Sequence, residues 1–134
     1  MEKVEYLQKF AEKHGLTVEI NGEVGFGREC VGLLNPRGDA YVDYNPYSHA
    51  DDMDIIEEFY IEAFYNTAPP NAYHKHDCLA VLGSGDAAIN ELYDWIVAIE
   101  ALGTVVIREY PTGATGVQAM FLGTTGYCVY IQGD

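Results

Sequence analysis

The chain has 134 residues, 49% of them apolar and 13% aromatic, with 21 acidic against 7 basic side chains and a formal charge of −14. That length suits one domain able to bury a core without staples, and that apolar content argues for a folded globule over a disordered chain. So large an acidic excess works against direct nucleic-acid binding, which draws on Lys and Arg contacts to phosphate, and against attachment to anionic membranes.

No run approaches the roughly 18 consecutive apolar residues of a membrane span. The opening MEKVEYLQKFAEKHG is charged and amphipathic and lacks the apolar core and cleavage site of a secretory signal, so a cytoplasmic location is expected. Cys30, Cys78 and Cys128 are odd in number, widely spaced and set beside apolar residues, which fits reduced core cysteines. With no Cys-x-x-Cys pair, a zinc-ribbon arrangement is excluded.

In chain order, helical spacing of Val4, Leu7, Phe10, Ala11 and His14 predicts a helix over residues 2–14, stopped by Gly15. LTVEI (16–20) alternates as a strand, NG (21–22) signals a turn, and EVGFG reads as an irregular loop. RECVGLL (28–34) and AYVDY (40–44) read as strands. Pro36 and Gly38 between them fit a type I turn, so the RGD tripeptide there reads as turn chemistry rather than adhesion. Residues 51–65 carry Ile55, Ile56, Phe59, Tyr60 and Ala63 on one helical face, and NTAPPN (66–71) breaks the chain. Residues 72–82 read as a strand. Asp86 is placed as the N-cap of a helix over 87–102 whose face is Ile89, Leu92, Trp95, Ile96 and Ile99. Strands at 104–110, 117–122 and 127–132 complete the chain.

This order predicts an α+β domain over 1–134: an antiparallel sheet with helices on one face. It contains a suggested internal duplication of a helix–strand–strand–strand unit, roughly 1–47 and 84–132, joined by the acidic helix and the 72–82 strand. One continuous or pseudo-twofold sheet would follow.

Three stretches bear on function. From Gly38 to His74 there is no Lys or Arg but there are eight acids. Within it Asp54, Glu58 and Glu62 recur every four residues, about 6 Å apart along a helix axis, with Asp51 at the start. A carboxylate column without counterions resembles the charge layout of a nucleic-acid backbone and suits a basic partner, with Tyr44 and Tyr47 adding surfaces on which Arg can stack. In YHKHDC (73–78), an extended strand would point His74, His76 and Cys78 to one face, a zinc-compatible arrangement. A Cys–His nucleophile could pair Cys78 or Cys30 with His74 or His76, but the chain offers little positive charge to favour a thiolate. LGSGDAA (82–88) holds a Gly-x-Gly before a helix, yet Asp86 stands where a phosphate would sit.

The stretches ECVGLLNPRGDAYVDYNPY (29–47) and AYHKHDCLAVLG (72–83) resemble small acidic proteins encoded by bacteriophages and mobile elements of bacteria. That resemblance covers about a quarter of the chain and carries no catalytic motif. It implies a protein that binds and blocks a host protein. The leading expectation is therefore a non-enzymatic binder of a basic, nucleic-acid-handling protein, without cofactor. It would use Asp51, Asp54, Glu58, Glu62, Tyr44 and Tyr47. The alternative is a ligand- or zinc-binding protein, conceivably an enzyme, using His74, His76 and Cys78. Self-association stays open in either case.

Overall fold

The computed structural model describes residues 2–35, 38, 41–42, 64, 66–74, 78–109 and 127–132. Helix α1, Glu2–Lys13, buries Leu7, Phe10 and Ala11. Glu2 and Glu5 lie in its first turn and Lys13 in its last, matching the helix dipole at both ends. Gly15 leaves the helix in the left-handed region, at φ 71°. The amides of Gly15 and Leu16 then donate back to the carbonyls of Glu12 and Ala11, the paired closure that a glycine at this position permits.

Strand β1, Thr17–Val24, pairs antiparallel with β2, Arg28–Leu34. The hairpin reverses at Gly25–Gly27. The expected break at Asn21–Gly22 does not occur: the strand runs through it as a bulge, with Glu19 opposite Gly32 but Gly22 opposite Cys30. The extra residue shifts the alternation of everything after it. Val24 consequently shares a face with Cys30, and Glu23 stays exposed.

Strand β3, Ala80–Leu82, takes the other edge of β2, with Cys30 opposite Leu82, Val31 opposite Val81 and Gly32 opposite Ala80. The sheet order is β1–β2–β3. Residues 72–82 are therefore not one strand. Ala72 bridges Val81, the Tyr73 amide donates to the Ala80 carbonyl, and the Leu82 amide donates to the Asn71 carbonyl. The chain at 71–73 thus runs back against 80–82. Of the strand expected at 40–44, Tyr41 bridges Leu34. Val42 joins Leu33 and Leu79 through backbone bonds of 3.0 and 2.8 Å.

Helix α2, Gly85–Glu100, starts two residues before the expected one. Ser84 occupies the N-cap in extended conformation and Asp86 lies in the first turn, where the dipole favours it without capping. Strands β4, Thr104–Glu109, and β5, Tyr127–Gln132, pair antiparallel as a second sheet. The described strands thus form two sheets, and a helix followed by an antiparallel strand pair occurs in each half of the chain.

The core fills the space between one face of the three-stranded sheet and both helices, an α+β arrangement. Val31, Leu33, Leu79 and Val81 meet Leu7, Phe10 and Ala11 of α1 and Ala88, Ile89, Leu92, Trp95, Ile96 and Ile99 of α2. Val105 and Ile107 of β4 pack against the same cluster. So does Phe64, which is helical, fully buried and the one described residue of the helix expected at 51–65. No helix among the described residues is long and apolar enough to cross a membrane.

A polar seam joins the helices. The Tyr6 hydroxyl donates to the Glu100 carboxylate, its ring meets Tyr93 edge-on at 5.1 Å, and the Lys3 ammonium lies 5.1 Å from the Tyr93 centroid. The Glu100 bond, seconded by burial, pushes the Tyr6 phenol up to about 12. At the end of α1, His14 packs against Phe10 at 4.6 Å, and its half-buried ring leaves Nε2 without a hydrogen-bond partner among the described residues. Burial pushes the His14 imidazole below its usual 6.5, with Lys13 adding to the effect and Glu100 opposing it. The folded state therefore resists protonation more than the unfolded chain, so this contribution is complete above 6.5 and fades as pH falls toward the folded-state value. Denaturant unfolding in mildly acidic and neutral buffer should show the wild-type chain losing stability relative to His14→Leu on acidification. A pH-independent gap between the two would remove His14 from that role.

Candidate functional site

The outer face of the three-stranded sheet carries a second buried cluster. Side-chain alternation sends Cys30 of β2, Ala80 of β3 and Val24 of β1 away from the helices, where they gather with Tyr73 and Cys78. Tyr41 and Leu82 pack over them. Tyr41 lies in a seat made by two glycines. A Cβ at Gly32 would stand 2.7 Å from the Tyr41 ring carbon Cε1 and 2.7 Å from the Ala80 Cβ. One at Gly22 would collide with the Tyr41 hydroxyl. The bulge in β1 is what brings Gly22 opposite Cys30, so that the ring crosses bare backbone on both strands.

At the end of this seat the Tyr41 hydroxyl and the Cys30 thiol share a hydrogen bond of 2.8 Å. Burial pushes the Cys30 thiol up, its bond to Tyr41 counteracts, and Glu19 adds to the rise. Burial pushes the Tyr41 phenol up strongly, and the bond to Cys30 raises it further. Burial and Cys78 raise the Tyr73 phenol, which Arg28 offsets. All these groups stay neutral near pH 7. A thiol held this way is a hydrogen-bonded packing element, and the thiolate that a Cys–His nucleophile requires is disfavoured at Cys30.

Of the residues picked out for metal or nucleophile chemistry, the structure describes Cys30, His74 and Cys78. His74 is exposed on the turn, and Cys78 is buried on the far side of the reversal. His76 lies outside the described residues. Among the described residues, no group of three His, Cys, Asp or Glu side chains could hold a metal ion. The residues picked out for partner binding, Asp51, Asp54, Glu58, Glu62, Tyr44 and Tyr47, lie outside the described residues. The Gly-x-Gly at 83–85 serves the turn into α2: both glycines have positive φ, 117° and 69°.

Phe26 is a further feature that the sequence reading passed over. It occupies the middle of the Gly25–Gly27 turn at φ 67° and ψ 27°, and it is 96% exposed. The left-handed region costs a residue with a Cβ roughly 1–2 kcal/mol. An aromatic between two glycines at a chain reversal was the available signal. With fold and site in view, no family model, curated protein or solved structure matches the chain.

Gly32→Ala should destabilise the protein by about 1–3 kcal/mol, the usual cost of overpacking, read as a lower denaturant midpoint. The penalty should shrink in a Tyr41→Ala background, where the ring no longer competes for the space. Equal penalties in both backgrounds would show that Tyr41 does not set it. Iodoacetamide labelling followed by peptide mass spectrometry should modify Cys30 and Cys78 slowly in the native protein and fast in denaturant. Fast native labelling of Cys30 would contradict its burial.

Proposed function

We propose that the chain is a non-enzymatic interaction protein whose acidic surface engages a basic protein, of the kind that handles nucleic acid, and blocks it. One observation carries this reading: eight acids and no Lys or Arg between Gly38 and His74, within a chain of formal charge −14. The described elements extend the pattern. Helix α2 holds Asp86, Glu91, Asp94 and Glu100 with no Lys or Arg, and the β1–β2 hairpin holds Glu19, Glu23 and Glu29 against Arg28 alone. By contrast, α1 interleaves its acids with Lys3, Lys9 and Lys13.

Carboxylates at helical spacing present negative charge much as successive phosphates do, and a basic groove built for a nucleic acid would accept them. Such a field speeds encounter with the partner and weakens as salt screens it. The buried Cys30, Tyr41 and Tyr73 on the outer sheet face supply no charge, which leaves recognition to the acids. The resemblance to acidic phage and mobile-element proteins points the same way.

The test is capture of basic proteins from a lysate of the source cells by the wild-type chain and by the Asp54→Lys, Glu58→Lys, Glu62→Lys triple variant. Like charges brought together at an interface cost several kcal/mol, so the triple variant should bind the captured protein roughly a hundred-fold more weakly or worse. Equal affinity of the two chains would defeat the proposal, as would an affinity that salt does not change.

A further inference from the structure

We propose that the tip of the β1–β2 hairpin is a docking hook, on which Phe26 enters an apolar pocket rimmed by Lys or Arg on a basic protein partner. The inference rests on the reading of this chain as a binder of a basic protein and names the element that anchors it.

Three features that each oppose stability meet at this tip. Phe26 is 96% exposed, the most exposed large apolar side chain among the described residues, ahead of Leu102 at 46% and Val97 at 37%. It adopts the left-handed conformation at φ 67°, beside Gly27 at φ 71°. Just below, Glu23 and Glu29 sit directly opposite each other across the two strands, a like-charge pair in the register that favours opposite charges. Strain, an exposed aromatic and unbalanced charge at one point of a fold are what a binding surface retains and a purely structural turn would discard.

The chemistry of the tip selects its occupant. A single aromatic ring calls for a pocket rather than a flat apolar face, since buried aromatic anchors in desolvated pockets carry most of the energy of protein interfaces. The carboxylates of Glu23 and Glu29 flank the strands behind the ring, and Arg28 is the only base on the hairpin. Directly opposite each other, Glu23 and Glu29 share one face of the hairpin, and Lys or Arg on that side of the pocket rim would meet opposite charge there. A second copy of this chain fits poorly, because each copy carries a formal charge of −14. The hairpin is also well placed to project: β1 and β2 stay paired up to Val24 and Arg28. The ring therefore stands on a supported stem and loses little freedom on docking.

The experiment places p-benzoylphenylalanine at position 26 of the full chain, and at position 102 as an exposed control, and photo-cross-links each in a lysate of the source cells. The cross-linked protein is identified by mass spectrometry and purified. Its affinity is then measured for the wild-type chain, Phe26→Asn and the Glu23→Lys, Glu29→Lys double variant. Asn adopts the left-handed region readily, so Phe26→Asn should unfold at an equal or higher denaturant midpoint. It should nevertheless bind the purified partner roughly thirty-fold more weakly or worse, the loss expected of an interface anchor. The double Lys variant should lose affinity chiefly at low salt. If Phe26→Asn binds like wild type while the Asp54, Glu58 and Glu62 reversals abolish binding, the hook is refuted and the broader reading survives. Cross-linking from position 26 only to a second copy of the chain would refute it too. If no basic protein binds any of these chains, both proposals fall.

Discussion

Strand β2 is the constraint around which the described structure is arranged. Both of its edges are paired, with β1 on one side and β3 on the other, and both of its faces are covered. Val31 and Leu33 belong to the main core, while Cys30 belongs to the outer cluster and Gly32 lies against Tyr41. A strand enclosed on four sides has little room for a change in side-chain size. This explains why residues 30–33 run Cys-Val-Gly-Leu, with the large side chains toward the helices and the small ones toward the outer face. The bulge in β1 follows from the same requirement. Without it, Gly22 would not face Cys30 and the tyrosine ring would have no backbone to cross.

The two faces of the sheet do different work. The helix side supplies most of the burial that offsets chain entropy, through a continuous cluster from Leu7 to Ile99. The outer side is smaller, and its Cys30 thiol and Tyr41 phenol hydrogen-bond to each other. The acids of the described helices and hairpin lie at exposed or partly exposed positions. Self-repulsion among them opposes compaction, and polar links such as Tyr6 to Glu100 and Asn71 to Glu91 temper it locally. A fold selected only for stability would mix in more Lys and Arg.

Much of this architecture was legible from local pattern. The span of β2 was read residue for residue, and α1, β4 and β5 fell within a residue at each end, because their periodicity is uninterrupted. The misreadings share a cause: a distant contact decides between two locally reasonable structures. Asn21–Gly22 is a strong turn signal in isolation, but Gly22 is glycine here because Tyr41 and Cys30 approach it. Residues 72–82 read as one strand, yet Ala72 bridges Val81, so the two ends of that stretch run back against each other. Of the outer cluster, Cys30 and Cys78 were each noticed singly. Their meeting depends on register, and register across three strands is not written in any one of them. Phe26 shares the left-handed region with Gly27, and only its place between two glycines at the reversal hinted at it.

The pairing of β2 with β3 joins segments far apart in the sequence, with residues 35–79 between Leu34 and Ala80. The β1–β2 hairpin, by contrast, closes over a three-residue turn. Loop-closure entropy grows only with the logarithm of loop length, about 0.6 kcal/mol for each doubling. The thermodynamic penalty for so long an excursion is therefore modest, and its weight falls on kinetics. The hairpin is the contact that can form early, and β2 must wait with an open edge until β3 arrives. The same logarithm leaves the excursion free to change. Its length and composition can drift widely over evolutionary time, provided Tyr41, Val42, Phe64 and Ala72 still reach their places. A small scaffold of this topology can thus keep its core while exchanging much of the surface it presents.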